Sequence, residues 1–277
     1  RLPSALEQAC LQRLTRGTAV QWQPSGLAEI SGPLFPALAS ASHGCLSVVL
    51  QGKRLKAEGP VAPNPFASFQ DVTPRGHTIR HGLDPSQAYL ELNSVALQPL
   101  LGSFLNNPLI AEQLASRYGL PEQLRDVLLT APVVLRVDAL ETGHFQASVQ
   151  ARLMVPAEYV ANVKTSLDAV AKALLRRGFQ QEQRLLQITD GASSNRMAEV
   201  WLDSKGDPSG GWSLGPETQG RSELLLALGA PPTSGSRPLQ RLGEQHLRLR
   251  ARPDELVQLG WLGPGWPRVI RNAVQLE

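Results

Sequence analysis

The chain has 277 residues, of which 42% are hydrophobic, 18% are charged and 5% are aromatic. Its 45 Leu and sparse charge exclude a disordered chain, and its 2 Cys exclude a disulfide-rich scaffold. No stretch reaches the roughly 18 uninterrupted apolar residues that a membrane span requires. We therefore expect a globular protein of one large domain or two small ones.

The basic residues are mostly Arg, with 22 Arg and 5 Lys against 24 acidic residues, so the net charge is only +3. A nucleic-acid-binding surface needs basic residues clustered on one face. In the most basic run, residues 247–252, Arg alternates with apolar residues and would occupy one face of a strand. We expect a solvated sheet face there and no nucleic-acid partner, with an anionic partner surface as the alternative.

The first predicted elements are a helix, a strand and a hairpin. Apolar residues at three- and four-residue spacing predict a helix over residues 4–16, and alternation predicts a strand over 18–23. Residues 45–50 and 54–61 are predicted to form a hairpin, because turn residues separate two alternating runs. Prolines and glycines at short intervals indicate an irregular linker or an ordered loop over 63–87.

The middle of the chain has the clearest periodic patterns. A predicted strand over 89–92 leads into three helices that start near residues 93, 107 and 121. Two antiparallel strands are then predicted over 133–140 and 144–155, and alternation in the second predicts one buried face and one solvent-exposed face. A helix is predicted over 157–177, because apolar residues recur there at spacings of three and four.

The last third of the chain is predicted to contain mainly strands with loops between them. The predicted strands cover residues 184–189, 196–202, 247–251 and 269–276. Residues 203–220 are rich in Gly, Pro and Ser and predict a loop, whereas 222–228 fit either a strand or a short buried helix. Pro253 suits the first position of a helix.

This order of elements predicts an α+β fold, with antiparallel sheets and helices packed on one face. A pattern of strand, polar cap, helix and strand begins near residues 19, 89 and 247, which raises the hypothesis of repeated strand–helix–strand–strand units. We predict an N-terminal unit over 1–62, a linker or loop over 63–87 and a main domain over 88–277. One continuous domain is the alternative.

One serine lies in a motif typical of nucleophilic catalysis. Residues Gly211 to Gly215 match the G-x-S-x-G pattern around Ser213, which in hydrolases forms a strained turn between a strand and a helix. The flanking residues predict a loop instead, and His246 is the one histidine downstream that could act as a base. We expect a glycine-rich loop and keep a serine hydrolase as an alternative.

The sequence patterns for a metal site, for catalytic carboxylates and for a cofactor site are weaker. His77 and His81 have a spacing that suits metal binding on a helix, but nearby Pro and Gly predict a loop. The carboxylates Glu91, Asp138 and Glu141 lie at strand positions, and no pattern brings two of them together. No P-loop, dinucleotide-binding fingerprint or EF-hand loop occurs. The sequence therefore predicts no catalytic residue, no metal and no cofactor.

The two cysteines, Cys10 and Cys45, are far apart in the sequence. They can pair only if the fold brings their Cα atoms within about 7 Å. Two small buried thiols are the other interpretation.

The most unusual local composition is found at residues 260–267, where Trp261 and Trp266 lie among Gly and Pro. Trp is enriched at the hot spots of protein interfaces. Phe66 and Phe69 lie close to prolines in the predicted linker and are a second aromatic segment. We predict a partner surface that includes these four aromatic residues, with packing against the core as the alternative.

Residues 88–93 (AYLELN), which lead into 100–102 (LLG), and residues 133–155 resemble segments of uncharacterised bacterial proteins, above all cyanobacterial domains of unknown function. The resemblance covers a minor part of the chain and transfers no functional residue. It implies an extracytoplasmic or membrane-tethered domain. Because the chain starts at Arg1, we expect an anchor upstream of it.

Taken together, these patterns predict a non-enzymatic α+β module that acts through protein-binding surfaces. Its partner is expected to be a protein. The alternatives are a carrier of an apolar small molecule or lipid and a serine hydrolase that uses Ser213.

Overall fold

The computed structural model describes residues 5–16, 19–22, 41–52, 54–63, 90–140, 147–186, 196–233, 247–258, 260, 262–266 and 268–276. Over these residues the chain is α+β, which confirms the predicted fold class. It divides into two compact units. Unit 1 comprises Arg1–Asp71, Gln98–Ser103 and Leu249–Glu277, and unit 2 comprises Val72–Leu97 and Phe104–Arg248. The domain boundaries predicted from the sequence stay predictions.

Helices and strands follow one another along the described chain. The helices are α1 (Ala5–Arg16), α2 (Gln98–Leu105), α3 (Pro108–Tyr118), α4 (Glu122–Thr130), α5 (Val160–Arg176), α6 (Pro253–Gln258) and α7 (Arg268–Arg271). The strands are β1 (Ala19–Trp22), β2 (Ala41–Gln51), β3 (Arg54–Glu58), β4 (Val61–Pro63), β5 (Leu90–Ser94), β6 (Val133–Ala139), β7 (Ala147–Pro156), β8 (Gln180–Leu186), β9 (Arg196–Leu202), β10 (Pro208–Thr218), β11 (Arg221–Leu228), β12 (Leu247–Ala251) and β13 (Gln275–Leu276). Of the helices in these ranges, none combines the length and the apolar character needed to cross a membrane.

In unit 1 the sheet is built around β2. This strand pairs in antiparallel fashion with β1, with β3 and with β4. The β2–β3 pair is the predicted hairpin, which is confirmed. β13 then pairs with β3 in parallel and with β12 in antiparallel orientation. Helix α1 contacts β2.

In unit 2 the strands form an antiparallel sheet in the order β5–β6–β7–β11–β10–β9–β8. Neighbouring strands pair over many consecutive residues. In the β7–β11 pair, Arg221 lies opposite Pro156 and Leu228 lies opposite Val149. The β10–β11 hairpin turns through Gln219 and Gly220. Both have positive φ, as a two-residue type I′ turn requires.

The two faces of the unit 2 sheet differ in chemistry. Directly paired residues of antiparallel strands share a face, so the strand register shows to which face of the sheet each side chain points. One face, called here the apolar face, includes the fully buried Val133 together with Leu153 and Leu224. The opposite face, called here the polar face, carries buried polar side chains on most of its strands. These are Glu91, Asn93, Ser148, Gln150, Arg152, Arg196 and Ser213.

Helix α5 lies over the apolar face, because its Asp168 acts electrostatically on Glu199, whose side chain is on that face. It contacts β8 and α3, and its side chain Val163 is buried. The hydroxyl of Ser166 donates a 2.5 Å hydrogen bond to the carbonyl of Gly119, the left-handed residue that ends α3. This bond fixes the end of α3 against α5.

Two of the predicted segments are wrong. The predicted loop 203–220 contains β10, because Gly210 and Gly211, which have low strand propensity, pair with both β9 and β11. The predicted strand 269–276 is instead α7 followed by the two-residue β13. The undecided run 222–228 lies in β11, and β8 starts earlier than predicted, at Gln180. The predicted linker 63–87 lies outside the described residues except at Pro63.

A matched pair of leucines tests the packing of the helices. Leu124 of α4 is 1% exposed, whereas Leu109 of α3 is 76% exposed. Leu124→Ala should lower the free energy of unfolding by about 2–5 kcal/mol, because it removes buried methyl groups and leaves a cavity. Leu109→Ala should change it by less than about 0.5 kcal/mol. Urea titrations measure both, and equal effects would contradict the packing described.

Candidate functional site

Ser213 lies in the middle of β10 and is 2% exposed. A catalytic serine of the G-x-S-x-G type sits on a sharp turn between a strand and a helix. Here the whole motif runs through an extended strand, with Gly211 paired to Ala227 on one side and to Val200 on the other. The motif therefore lacks the backbone geometry that exposes a nucleophile.

The hydroxyl of Ser213 both donates and accepts a hydrogen bond within the protein. Its Oγ donates to the carbonyl of Met197 at 2.5 Å and accepts from the Nε of Arg196 at 2.7 Å. A hydroxyl has one proton to donate, and here that proton is directed at a backbone oxygen. In this arrangement the side chain ties β10 to β9.

Arg196 is the centre of a buried network on the polar face. Its Nη1 donates to the Glu223 carboxylate at 2.7 Å, and its Nη2 donates to the Ser213 and Glu223 carbonyl oxygens, each at 2.5 Å. Arg152 adds an ion pair to the same carboxylate at 3.6 Å. Burial lowers the pKa of Arg196, the Glu223 charge and hydrogen bond raise it, and Arg152 lowers it.

The two glycines of the motif have packing roles. A Cβ on Gly211 would overlap the carbonyl oxygen of Glu199 and press on the ring of Pro232. A Cβ on Gly215 would lie 3.3 Å from the guanidinium of Arg196. Both glycines make room for neighbouring groups, so structural needs alone account for the three defined positions of the pattern.

Two tryptophans and a carboxylate meet on the apolar face. Trp201 and Trp212 pack with ring centroids 5.3 Å apart at a tilt of 38°. Burial raises the pKa of the adjacent Glu199 above its ordinary value of 4.5, and the carboxylate of Asp168 on α5 raises it further. Hydrogen bonds involving Trp212 and Gln181 oppose this rise. The fold therefore raises the pKa of Glu199 above its value in the unfolded chain.

A different part of unit 2 has the features of an interaction surface. Strand β8 ends the sheet, and in the described part of the chain its one strand partner is β9. Residues 180–183 are exposed although their side chains alternate between the two faces. We call β8 together with Met197 the β8 edge. It offers backbone N–H and C=O groups along one side of a strand.

Opposite charges and apolar side chains lie on the β8 edge. Arg184 donates a 2.8 Å hydrogen bond to the carboxylate of Glu182, which lowers the pKa of Glu182. On the other face, Leu185 is 52% exposed and Met197, its direct partner on β9, is 48% exposed. Polar and apolar contacts are thus available on the two sides of one strand.

The predicted aromatic surface is described only in part. Trp266 is half-buried in unit 1. Its backbone N–H donates to the carbonyl of Gly263 at 3.3 Å, and its backbone carbonyl accepts from the Nε of Arg271 at 3.0 Å. Trp261, Phe66 and Phe69 lie outside the described residues. The partner surface predicted from these residues stays a prediction.

Two of the three candidate carboxylates, Glu91 and Asp138, lie on the polar face. Glu91 is buried on β5 and accepts a 2.8 Å hydrogen bond from the side chain of Asn93. Asp138 on β6 accepts from Arg136 at 2.7 Å, but burial raises its pKa despite this partner. Glu141 lies outside the described residues.

The histidines weighed for catalysis or metal binding are not described. His77, His81 and His246 fall in undescribed segments. Among the residues that the structure describes, no group of three His, Cys, Asp or Glu side chains is placed to hold a metal ion.

Comparison with known proteins adds no family to these observations. No protein-family model matches the chain, and no curated protein sequence and no solved structure matches it significantly. The resemblance to cyanobacterial domains of unknown function therefore stays an expectation.

The β8 edge was not predicted from the sequence. A signal was present, because Glu182 and Arg184 are two residues apart and would share one face of a strand. The run Gln180 to Gln183 has low strand propensity, so the strand was expected to start later.

Ser213→Ala tests the structural role of this serine. The variant leaves the Nε of Arg196 without its side-chain acceptor, so we expect the free energy of unfolding to fall by about 1–3 kcal/mol. Ser204→Ala, at an exposed turn residue, is the control and should have little effect. A fluorophosphonate probe should leave Ser213 of the folded protein unlabelled. A fully stable variant or a labelled Ser213 would each contradict this role.

Glu199→Gln tests the environment of the carboxyl group. Because the folded state raises the pKa of Glu199, it holds the proton more tightly than the unfolded state does. The wild-type protein then loses stability as the pH rises above about 4.5 through the raised pKa, and the variant lacks this loss. The stability of Glu199→Gln relative to wild type should increase from pH 4 to pH 7 in urea titrations. Glu217→Gln, at an exposed residue of β10, is the control, and an unchanged difference for Glu199→Gln would refute this assignment.

Proposed function

We propose that this protein is a non-enzymatic protein-binding module and that it binds by adding a partner strand to the β8 edge. The observation that carries the proposal is the exposure of β8 along one edge and on both faces over residues 180–183. Strand addition to such an edge supplies main-chain hydrogen bonds, while the side chains select the partner.

The side chains of β8 favour a second copy of the same strand as the partner. In an antiparallel pair centred on Gln183, Glu182 lies opposite Arg184 of the second copy, and Arg184 lies opposite Glu182 of the second copy. The pattern is therefore complementary to itself. Two cross-strand ion pairs form around one axis, and all four charges lie on the polar face.

The apolar side chains of the edge suit the same register. Leu185 would lie opposite Gln181 of the second copy, whose methylene groups can cover part of it. Both residues point to the face that carries Met197 and α5. The pairing would thus reduce the exposure of an apolar patch that is half open to solvent in the single chain.

The charges also limit how strong this interface can be. Charged residues on an edge strand discourage pairing with most other strands. Opposite-charge pairs across strands contribute roughly 0.2–1 kcal/mol each. We therefore propose a weak, selective association. The extracytoplasmic or membrane-tethered setting predicted from the sequence would favour it, because copies held at one surface have a high effective concentration.

Charge reversal on β8 tests the proposal. Sedimentation equilibrium should show a concentration-dependent dimer of the wild-type chain. Glu182→Arg or Arg184→Glu alone places like charges opposite each other twice, so each should weaken the dimer by on the order of tenfold or more. The double variant restores opposite charges and should recover the dimer.

The matched control is Lys56→Glu on β3, which reverses one member of another exposed ion pair two residues apart. It should leave association unchanged. A wild-type chain that stays monomeric at millimolar concentration would contradict the proposal. A dimer that responds equally to the β8 variants and to the control would also contradict it.

A further inference from the structure

Helix α1 is held on β2 by a contact that fixes their relative position. The Nη1 of Arg13 donates a 2.9 Å hydrogen bond to the Ser47 hydroxyl and a 3.2 Å bond to the carbonyl of Glu58. These bonds connect the helix to β2 and to the neighbouring β3. They lie in unit 1 and involve no residue of the β8 edge.

The same contact places the two cysteines together. Cys10 precedes Arg13 by three residues and lies on the same side of the helix. Cys45 precedes Ser47 by two residues and lies on the same face of the strand. Cys10 is 5% exposed, Cys45 is fully buried, and both are free thiols. The Cys45 side chain acts on Cys10 and raises its pKa, so the two thiols lie near each other where α1 contacts β2.

We propose that Cys10 and Cys45 are a disulfide-forming site that is oxidised by exchange with a disulfide-bearing oxidant, either a small molecule or a protein. The thiolate of one cysteine attacks the oxidant disulfide, and one thiol of the oxidant leaves with a proton. The second cysteine then attacks the mixed disulfide and releases the other thiol. Two cysteine thiols lose two electrons and two protons, and the oxidant disulfide becomes two thiols.

The environment of the thiols determines when this exchange takes place. Burial raises the pKa of Cys10 to about 11, and the hydrogen bond to Cys45 contributes to the rise. Because the thiolate is the reactive form, the docked pair reacts slowly. Oxidation therefore belongs to the stage before α1 docks on β2, or to moments when α1 opens. The resulting bond ties α1 to β2 covalently and restricts the unfolded chain.

The test equilibrates the full chain with oxidised glutathione, first unfolded in urea and then during refolding. After acid quenching and alkylation in denaturant, intact mass spectrometry should show a monomer lighter by two hydrogens that carries no alkyl group. Its Tm should exceed that of the reduced protein by about 5 °C or more. Dithiothreitol should reverse both changes.

Single-cysteine variants provide the control. Cys10→Ser and Cys45→Ser should each carry at most one glutathione and show no rise in Tm on oxidation. Wild-type protein that keeps two alkylatable thiols, carries two separate glutathiones or forms only intermolecular disulfides would overturn the proposal. These measurements do not depend on dimer formation, so the two proposals can fail separately.

Discussion

The unit 2 sheet depends on the burial of the Arg196 guanidinium among three strands. Taking this charge out of water costs several kcal/mol unless hydrogen bonds and an opposite charge replace the lost solvation. The replacement comes from Ser213 on β10 and Glu223 on β11, at distances of 2.5–2.7 Å. A slip of one residue in either register would move these partners to the other face of the sheet. The network therefore selects one alignment of β9, β10 and β11.

The alignment of β9 determines what β8 presents to solvent. Leu186 pairs with Arg196 and Arg184 pairs with Ala198, so the charged side chains of β8 lie on the polar face. Leu185 faces the other way beside Met197. The face on which the self-complementary charges of the β8 edge lie thus follows from the position of a buried arginine one strand away. Ser213 belongs to the same network, which gives it a structural role in place of a catalytic one.

The spacing of apolar residues along the chain predicted those helices and strands that such spacing determines. The alternation in β7 and the three–four spacing in α5 each identified an element within a few residues of its observed bounds. β10 could not be found in this way, because Gly210 and Gly211 have little strand propensity and form a strand only between β9 and β11. The predicted strand at 269–276 failed for a related reason, since a short apolar run does not distinguish a strand from a helical turn.

The candidate site was less predictable than the fold. The sequence of β8 contains Glu182 and Arg184, but nothing local indicates that this strand ends the sheet. That property depends on strand order, which is set by pairings between distant segments. The contact between Cys10 and Cys45 is likewise long-range and became visible only when α1 was placed on β2. Of the four aromatic residues that composition predicted as a partner surface, only Trp266 lies among the described residues.

The claim that β8 is a binding edge is tested most directly by amide hydrogen exchange at several protein concentrations. If a second copy pairs with β8, the outward-facing amides of residues 180–186 become hydrogen bonded in the dimer. Their protection should rise with concentration, while protection in β7 stays constant. Glu182→Arg should abolish the rise. Protection in β8 that is low and independent of concentration up to the millimolar range would contradict strand pairing at the β8 edge.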